Sequence, residues 1–195
     1  MAQPTSTTDR REQLVQAAIT VLRERGVAAC TARTVAAASP LTKSSLHYYF
    51  DDVDEVVDIA MARLMQDFIG RIQTAASAAA DPVTALWSAA ETYLRLGGSH
   101  PGRIPLLWFE YQVVAVRSGR TATVREITEQ GAVVWEQLVA ATGVDRAVGK
   151  SRALYAALIG SVVEQSLDPR PVPDVLEEIA AAFALPAPSD LGTAS

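Results

Sequence analysis

Apolar side chains in this chain recur about every three to four residues from Leu14 to Leu185, and no segment alternates strictly between apolar and polar. A period near 3.6 lines up such residues on one face of a helix, whereas a half-buried strand needs a period of two. The spacing therefore predicts an all-α fold. Glycines, prolines and short polar clusters cut the pattern into about nine helices, with no internal repeat. At 195 residues the chain can bury a core of its own. No stretch of about 18 residues is both apolar and free of charge, and the opening MAQPTSTTDRREQ is polar where a secretory leader needs an apolar run. A cytoplasmic protein with no membrane partner is expected.

The first helix opens near Thr8 and Asp9, where a cap residue followed by Glu12 offers a capping box. It carries an apolar stripe at Leu14, Ala17, Ala18, Val21 and Leu22 and stops at Gly26. Thr31 caps a short segment, 32–38, which Ser39-Pro40 interrupts. Thr42 caps a second, 43–49. Two short helices behind a longer one is the plan of a helix-turn-helix. The acidic run at 51–55 could be a metal site, but acids at a helix start satisfy free N–H groups and the macrodipole, which is the preferred reading. Apolar positions then hold the helical period from Val53 to Ile72, within a connector helix over 52–79. Further helices are expected over 82–98, opened by Asp81-Pro82, and over 105–117, 121–142 and 145–167. A loop through Pro101 and Gly102 separates the first two of these, and the turn DPRPVP precedes a last helix over 174–185. These elements give a helix-turn-helix domain over 8–50, a further helical domain over 51–185, and a tail over 186–195 that reads as disordered.

The formal charge of −5 conceals a division. Residues 1–50 hold six basic and three acidic side chains, a balance of +3, which leaves −8 for the remainder. Such asymmetry suits a chain whose one end meets phosphate, although a solvated basic face gives a similar count. Enzymatic chemistry finds little material. Two histidines, His47 and His100, and one cysteine, Cys30, cannot form a metal cluster by spacing, so neither metal nor cofactor is expected. GGSHP at 97–101 imitates a nucleophile elbow only loosely, since Pro101 replaces its last glycine and no strand precedes it. Cys30 reads as a small buried residue.

In the segment TKSSLHYYF, Leu46 and Phe50 lie four apart and can anchor an inner face, leaving Thr42, Lys43, Ser44, His47 and Tyr48 for an outer one. Residues 10–60 resemble the DNA-binding domain of the TetR family. The resemblance rests on Arg25-Gly26 at the end of the first helix, Val35-Ala36 in the second, Leu46, and the run His47-Tyr48-Tyr49-Phe50 ahead of an acidic helix start. It implies that Arg33, Lys43, Ser44 and His47 reach base edges or nearby phosphates of a double-stranded operator, while Thr42, Tyr48 and Tyr49 mainly hold its backbone. Taken singly, His47 reads equally well as a packed or solvent-facing histidine, and Tyr48 or Tyr49 as partly core. Three positions depart from the family pattern: Pro40 replaces the usual turn glycine, His47 the usual tyrosine, and Val53 the usual lysine. A histidine at 47 can still donate a hydrogen bond and would make binding sensitive to pH near neutrality.

Beyond residue 60, LLWFEYQVVAVRSG and LIGSVVEQSLDP resemble family helices, the second one that often lies at a dimer interface, with Ser161 where leucine is more usual. The resemblance implies a homodimer formed by the helices over 145–167 and 174–185. It also implies a small-molecule effector site, for which Trp87, Trp108, Tyr111 and Trp135, with Gln112 and Glu110, are the candidates; simple core filling is the rival reading for each aromatic. The expected function is a repressor that binds a palindromic operator as a dimer and is released by a small, largely apolar ligand. The alternatives are a ligand-independent activator or architectural factor and, less well supported, an all-helical enzyme.

Overall fold

The computed structural model describes residues 7–98 and 104–188 and, of Lys43, only the backbone. Among the described residues there are nine helices and no strand. They are α1 (Thr7–Arg25), α2 (Ala32–Ala37), α3 (Lys43–Tyr49), α4 (Val53–Ser77), α5 (Pro82–Gly98), α6 (Ile104–Arg117), α7 (Ala122–Ala141), α8 (Ala147–Leu167) and α9 (Val172–Ala182). The all-α expectation holds. The loop through Pro101 and Gly102, the GGSHP segment beyond Gly98 and the tail from Ser189 lie outside the described residues.

The helices sort into two compact units, with α4 running through the division. One holds the described residues up to Met65 and from Ile104 to Thr123; the other holds those from Gln66 to Gly98 and from Val124 onward. The first unit thus takes the opening half of α4 and the whole of α6 along with the helix-turn-helix, where the sequence reading divides the chain at residue 50.

In the first unit α1 buries Leu14, Val15, Ala17, Ala18, Val21 and Leu22 on one face, packing against α2 and α6. Glu12 does not form the expected capping box: Thr8 and Asp9 lie inside α1, and the Glu12 carboxylate pairs with Arg63 on α4. That guanidinium holds the carboxyl of Glu12 below its ordinary range. Gly26 ends α1 at φ +78°, its N–H donating to Leu22 O at 3.0 Å. Thr31 and Thr34 form a reciprocal capping box on α2, and Thr42 Oγ1 accepts from Ser45 N at 3.2 Å to start α3. The acidic run starts α4: Glu55 N donates to Asp52 Oδ1 at 2.9 Å, and Asp51 N to Glu55 Oε2 at 3.0 Å.

In the second unit Asp81 caps α5, its Oδ1 accepting from the N–H groups of Val83 and Thr84 at 2.9 and 3.0 Å. Helix α5 packs on α8 and α9. At Gly97 a Cβ would come within 2.6 Å of Val162 Cγ2, so the absence of a side chain lets α5 approach α8. Helix α9 opens two residues before the expected position and stops three before the expected end. Pro171 and Pro173 are tolerated in its cap and first turn because no intrahelical partner awaits their missing N–H. Its stop is set by Ala184 at φ +47°, with Leu185 N donating to Ala180 O. Pro186, expected in a disordered tail, is tied down: its carbonyl accepts from Trp87 Nε1 at 2.8 Å.

Cys30 is buried beneath α1, and burial raises its thiol from 9.0 to about 11. Between those values the folded protein keeps a proton that the unfolded chain has released, so this group lowers stability as pH rises through that window. A thiol-specific reagent at pH 8 should therefore leave the native protein unmodified and label it only in denaturant, as read by intact mass.

Candidate nucleic-acid interface

Helix α3 has only seven residues, so it stands by tertiary packing. Leu46 is fully buried and Phe50, just past the helix, nearly so. The Arg11 guanidinium lies 4.6 Å from the Phe50 ring centroid and donates to Glu55 Oε1 at 3.2 Å. Arg11 therefore ties the junction of α3 and α4 from the half-exposed face of α1.

Opposite that anchor, Thr42, Ser44, His47 and Tyr48 are exposed, as is Arg33 on α2. Tyr48 is 79% exposed, far too much for a core aromatic, and it meets the half-buried Tyr49 edge to face at 4.9 Å. The rival packed reading therefore survives only in part, for Tyr49. Thr42 spends one hydroxyl lone pair on the cap of α3, and Lys43 opens the helix. The five candidates with described, exposed side chains share one short stretch of the first unit, and their hydroxyl, imidazole and guanidinium groups are those that bind phosphates and base edges.

The proposed ligand residues are divided between the two units. Trp108 and Tyr111 belong to the first unit, stacked with centroids 5.6 Å apart, and the Tyr111 hydroxyl donates to Asp58 Oδ1 at 2.8 Å. Burial first, then the bond to Asp58, pushes the Tyr111 phenol well above its ordinary value. Gln112 is half-buried on α6. Trp87 and Trp135 belong to the second unit; Trp87 is fully buried on Pro186, and Trp135 meets Tyr93 at 6.0 Å. Tyr93 also contacts Phe68 and Tyr155, and burial pushes its phenol strongly up. Elsewhere in the second unit a groove of about 640 Å3 runs between α4 and α7, with Ile69, Val133 and Val134 among amide and carboxylate side chains such as Gln66, Glu126 and Glu129. Its residues are mostly surface polar ones, which apolar periodicity does not single out.

Residues 14–58 match the family model described as bacterial regulatory proteins, tetR family. That segment, which holds α2 and α3, is similar to the regulators of the tetR family. The chain is 39% identical over 67 residues to a nicotine-responsive transcriptional repressor of Paenarthrobacter nicotinovorans, a match covering 34% of each chain. Against the transcriptional repressor KstR2 of Rhodococcus jostii it is 29% identical over 92 residues, 47% of this chain and 45% of that one. The chain thus spans less than half the length of these relatives. A solved tetR-family structure from Streptomyces coelicolor A3 superposes with a TM-score of 0.70 at 25% identity, covering 91% of this chain and 99% of that one. A transcriptional regulator from Rhodococcus gives 0.74 at 20% identity over 89% and 94%, a likeness of fold.

Within the tetR frame the proline at position 40 has a physical explanation. No residue between α2 and α3 adopts positive φ, so the turn does not require glycine. Instead Ser39 Oγ accepts from Leu41 N at 3.0 Å and holds the bend. The two faces of α3 predict different responses to substitution. Leu46→Ala should cost about 2–5 kcal/mol in a denaturant melt by opening a cavity. His47→Ala should change stability by no more than about 0.5 kcal/mol, because its side chain faces solvent.

Proposed function

We propose that this chain is a transcriptional repressor that binds a palindromic operator as a homodimer, with α2 and α3 reading the DNA, and that a small molecule releases it. The carrying observation is the polar row on α3, Thr42, Ser44, His47 and Tyr48, turned away from a fully buried Leu46. Arg33, Lys43, Ser44 and His47 reach base edges or nearby phosphates; Thr42, Tyr48 and Tyr49 hold the DNA backbone. The expected compartment is the cytoplasm, where the DNA is.

Dimerisation falls to α8 and α9. Along α8, Ala156, Gly160, Val163 and Leu167 follow one another at helical spacing and are all exposed, Leu167 by 83%, with the exposed Arg152 one turn before them. A Cβ at Gly160 would meet nothing within 4 Å. An apolar face with small residues at its middle suits close packing against a second copy. Two copies related by a twofold axis would present two α3 helices to successive major grooves, about 34–36 Å apart. Changing Ala156 to Arg should shift sedimentation at micromolar concentration from dimer to monomer; a parent protein that is already monomeric contradicts this part.

The effector site belongs to the helices after residue 51, with Trp87, Trp108, Tyr111, Gln112 and Trp135 as sequence candidates and the α4–α7 groove as the further candidate space. A ligand acts only if it favours the state that binds DNA less well. The function is tested by titrating the protein onto DNA flanking its own gene at two salt concentrations. Specific binding with a steep salt slope is expected. Replacing Lys43 and His47 together by alanine should weaken it and reduce the slope by about one for the lost lysine. Binding that is unspecific, or unaffected by the double change, contradicts the assignment.

A further inference from the structure

Helix α6 follows the helix-turn-helix by some distance in sequence, yet its single carboxylate is built into that domain. Glu110 Oε1 accepts from the backbone N–H of Ala28 at 3.1 Å, across 82 residues. Ala28 lies in the loop between α1 and α2. A Cβ placed on Gly26 would sit 3.0 Å from Glu110 Oε2, so the glycine that turns the chain at positive φ also leaves room for the carboxylate. From this loop the contacts pass directly into α2. Thr34 Oγ1 donates to Ala29 O at 2.6 Å, and Thr34 with Thr31 forms the capping box one residue from Arg33.

The carboxylate also stands on a fixed platform. The next residue, Tyr111, donates its hydroxyl to Asp58 on α4, and Arg120, just past α6, reaches Asp58 Oδ1 at 2.9 Å and Asp54 Oδ2 at 3.3 Å. Helix α6 is thereby held to α4 while its neighbouring side chain holds the α1–α2 loop. A charged acceptor makes a stronger hydrogen bond than a neutral one, and an irregular loop has few other contacts to fix it.

We propose that Glu110 is a positioning residue for DNA binding: its carboxylate sets the α1–α2 loop, and through it the placement of α2 and Arg33. The inference rests on the operator-binding reading above. Glu110 acts only through that loop, so its loss should weaken binding by no more than α2 and Arg33 contribute.

The test compares the full-length protein with Glu110→Ala and Glu110→Gln on DNA flanking its own gene, with the amide exchange of Ala28 and the melting temperature measured alongside. Glu110→Ala should weaken specific binding by about tenfold, the effect of losing one charge-assisted hydrogen bond, with the salt slope falling by no more than about one, the share of Arg33. The Ala28 amide should exchange faster. Glu110→Gln keeps a carbonyl oxygen at the same place and should restore most of the affinity and the protection. An alanine variant that binds as tightly as the parent overturns the role, as does one whose weakened binding glutamine fails to recover. A salt slope that falls by more than about one overturns it too, since Arg33 offers only a single charge. A parent protein that binds none of this DNA overturns the operator-binding reading, and this role with it.

Discussion

The insertion of Leu46 and Phe50 beneath a seven-residue helix is the constraint on which the DNA-facing surface depends. A helix of that length is marginal alone, because its few hydrogen bonds scarcely offset the cost of nucleation. Burial of one face fixes its rotation, and the rotation decides which side chains are left outside. Thr42, Ser44, His47 and Tyr48 are outside because Leu46 is inside. Arg11 secures the far end by covering Phe50 and bonding Glu55, so a basic residue that charge counting assigns to a phosphate-facing surface instead ties α3 to α4.

The helices were largely legible because their signals are local. Thr31, Thr42, Asp52 and Asp81 act as caps, and Gly26 as the stop they surround. The buried stripe of α1 follows directly from its 3.6-residue spacing. Where local signals compete, the sequence reading shifts. Glu12 has the spacing of a capping box but pairs with Arg63, 51 residues away, a partner that no local pattern names. The prolines of DPRPVP look like a break, yet one occupies the N-cap position of α9 and another sits in its first turn, where proline costs no hydrogen bond.

The site was legible in proportion to how much of it lies in one segment. The outer face of α3 comes from nine consecutive residues and could be read off two anchor positions. The aromatics come from three helices, and their contacts depend on tertiary placement that no local pattern gives. Trp108 and Tyr111 stack within the unit that holds the helix-turn-helix, while Trp87 and Trp135 have their contacts in the other. Glu110 shows the same limit from the other side. Its sequence neighbours suggest a ligand-orienting acid, but its partner is a backbone N–H in the α1–α2 loop.

Chemical-shift mapping of the backbone amides during titration with a duplex from the DNA flanking the gene tests the central claim most directly. The account predicts that the largest changes fall at Arg33 and across residues 42–49, with the interior positions of α1 little affected. Changes concentrated instead along the α4–α7 groove, with α2 and α3 silent, would contradict it.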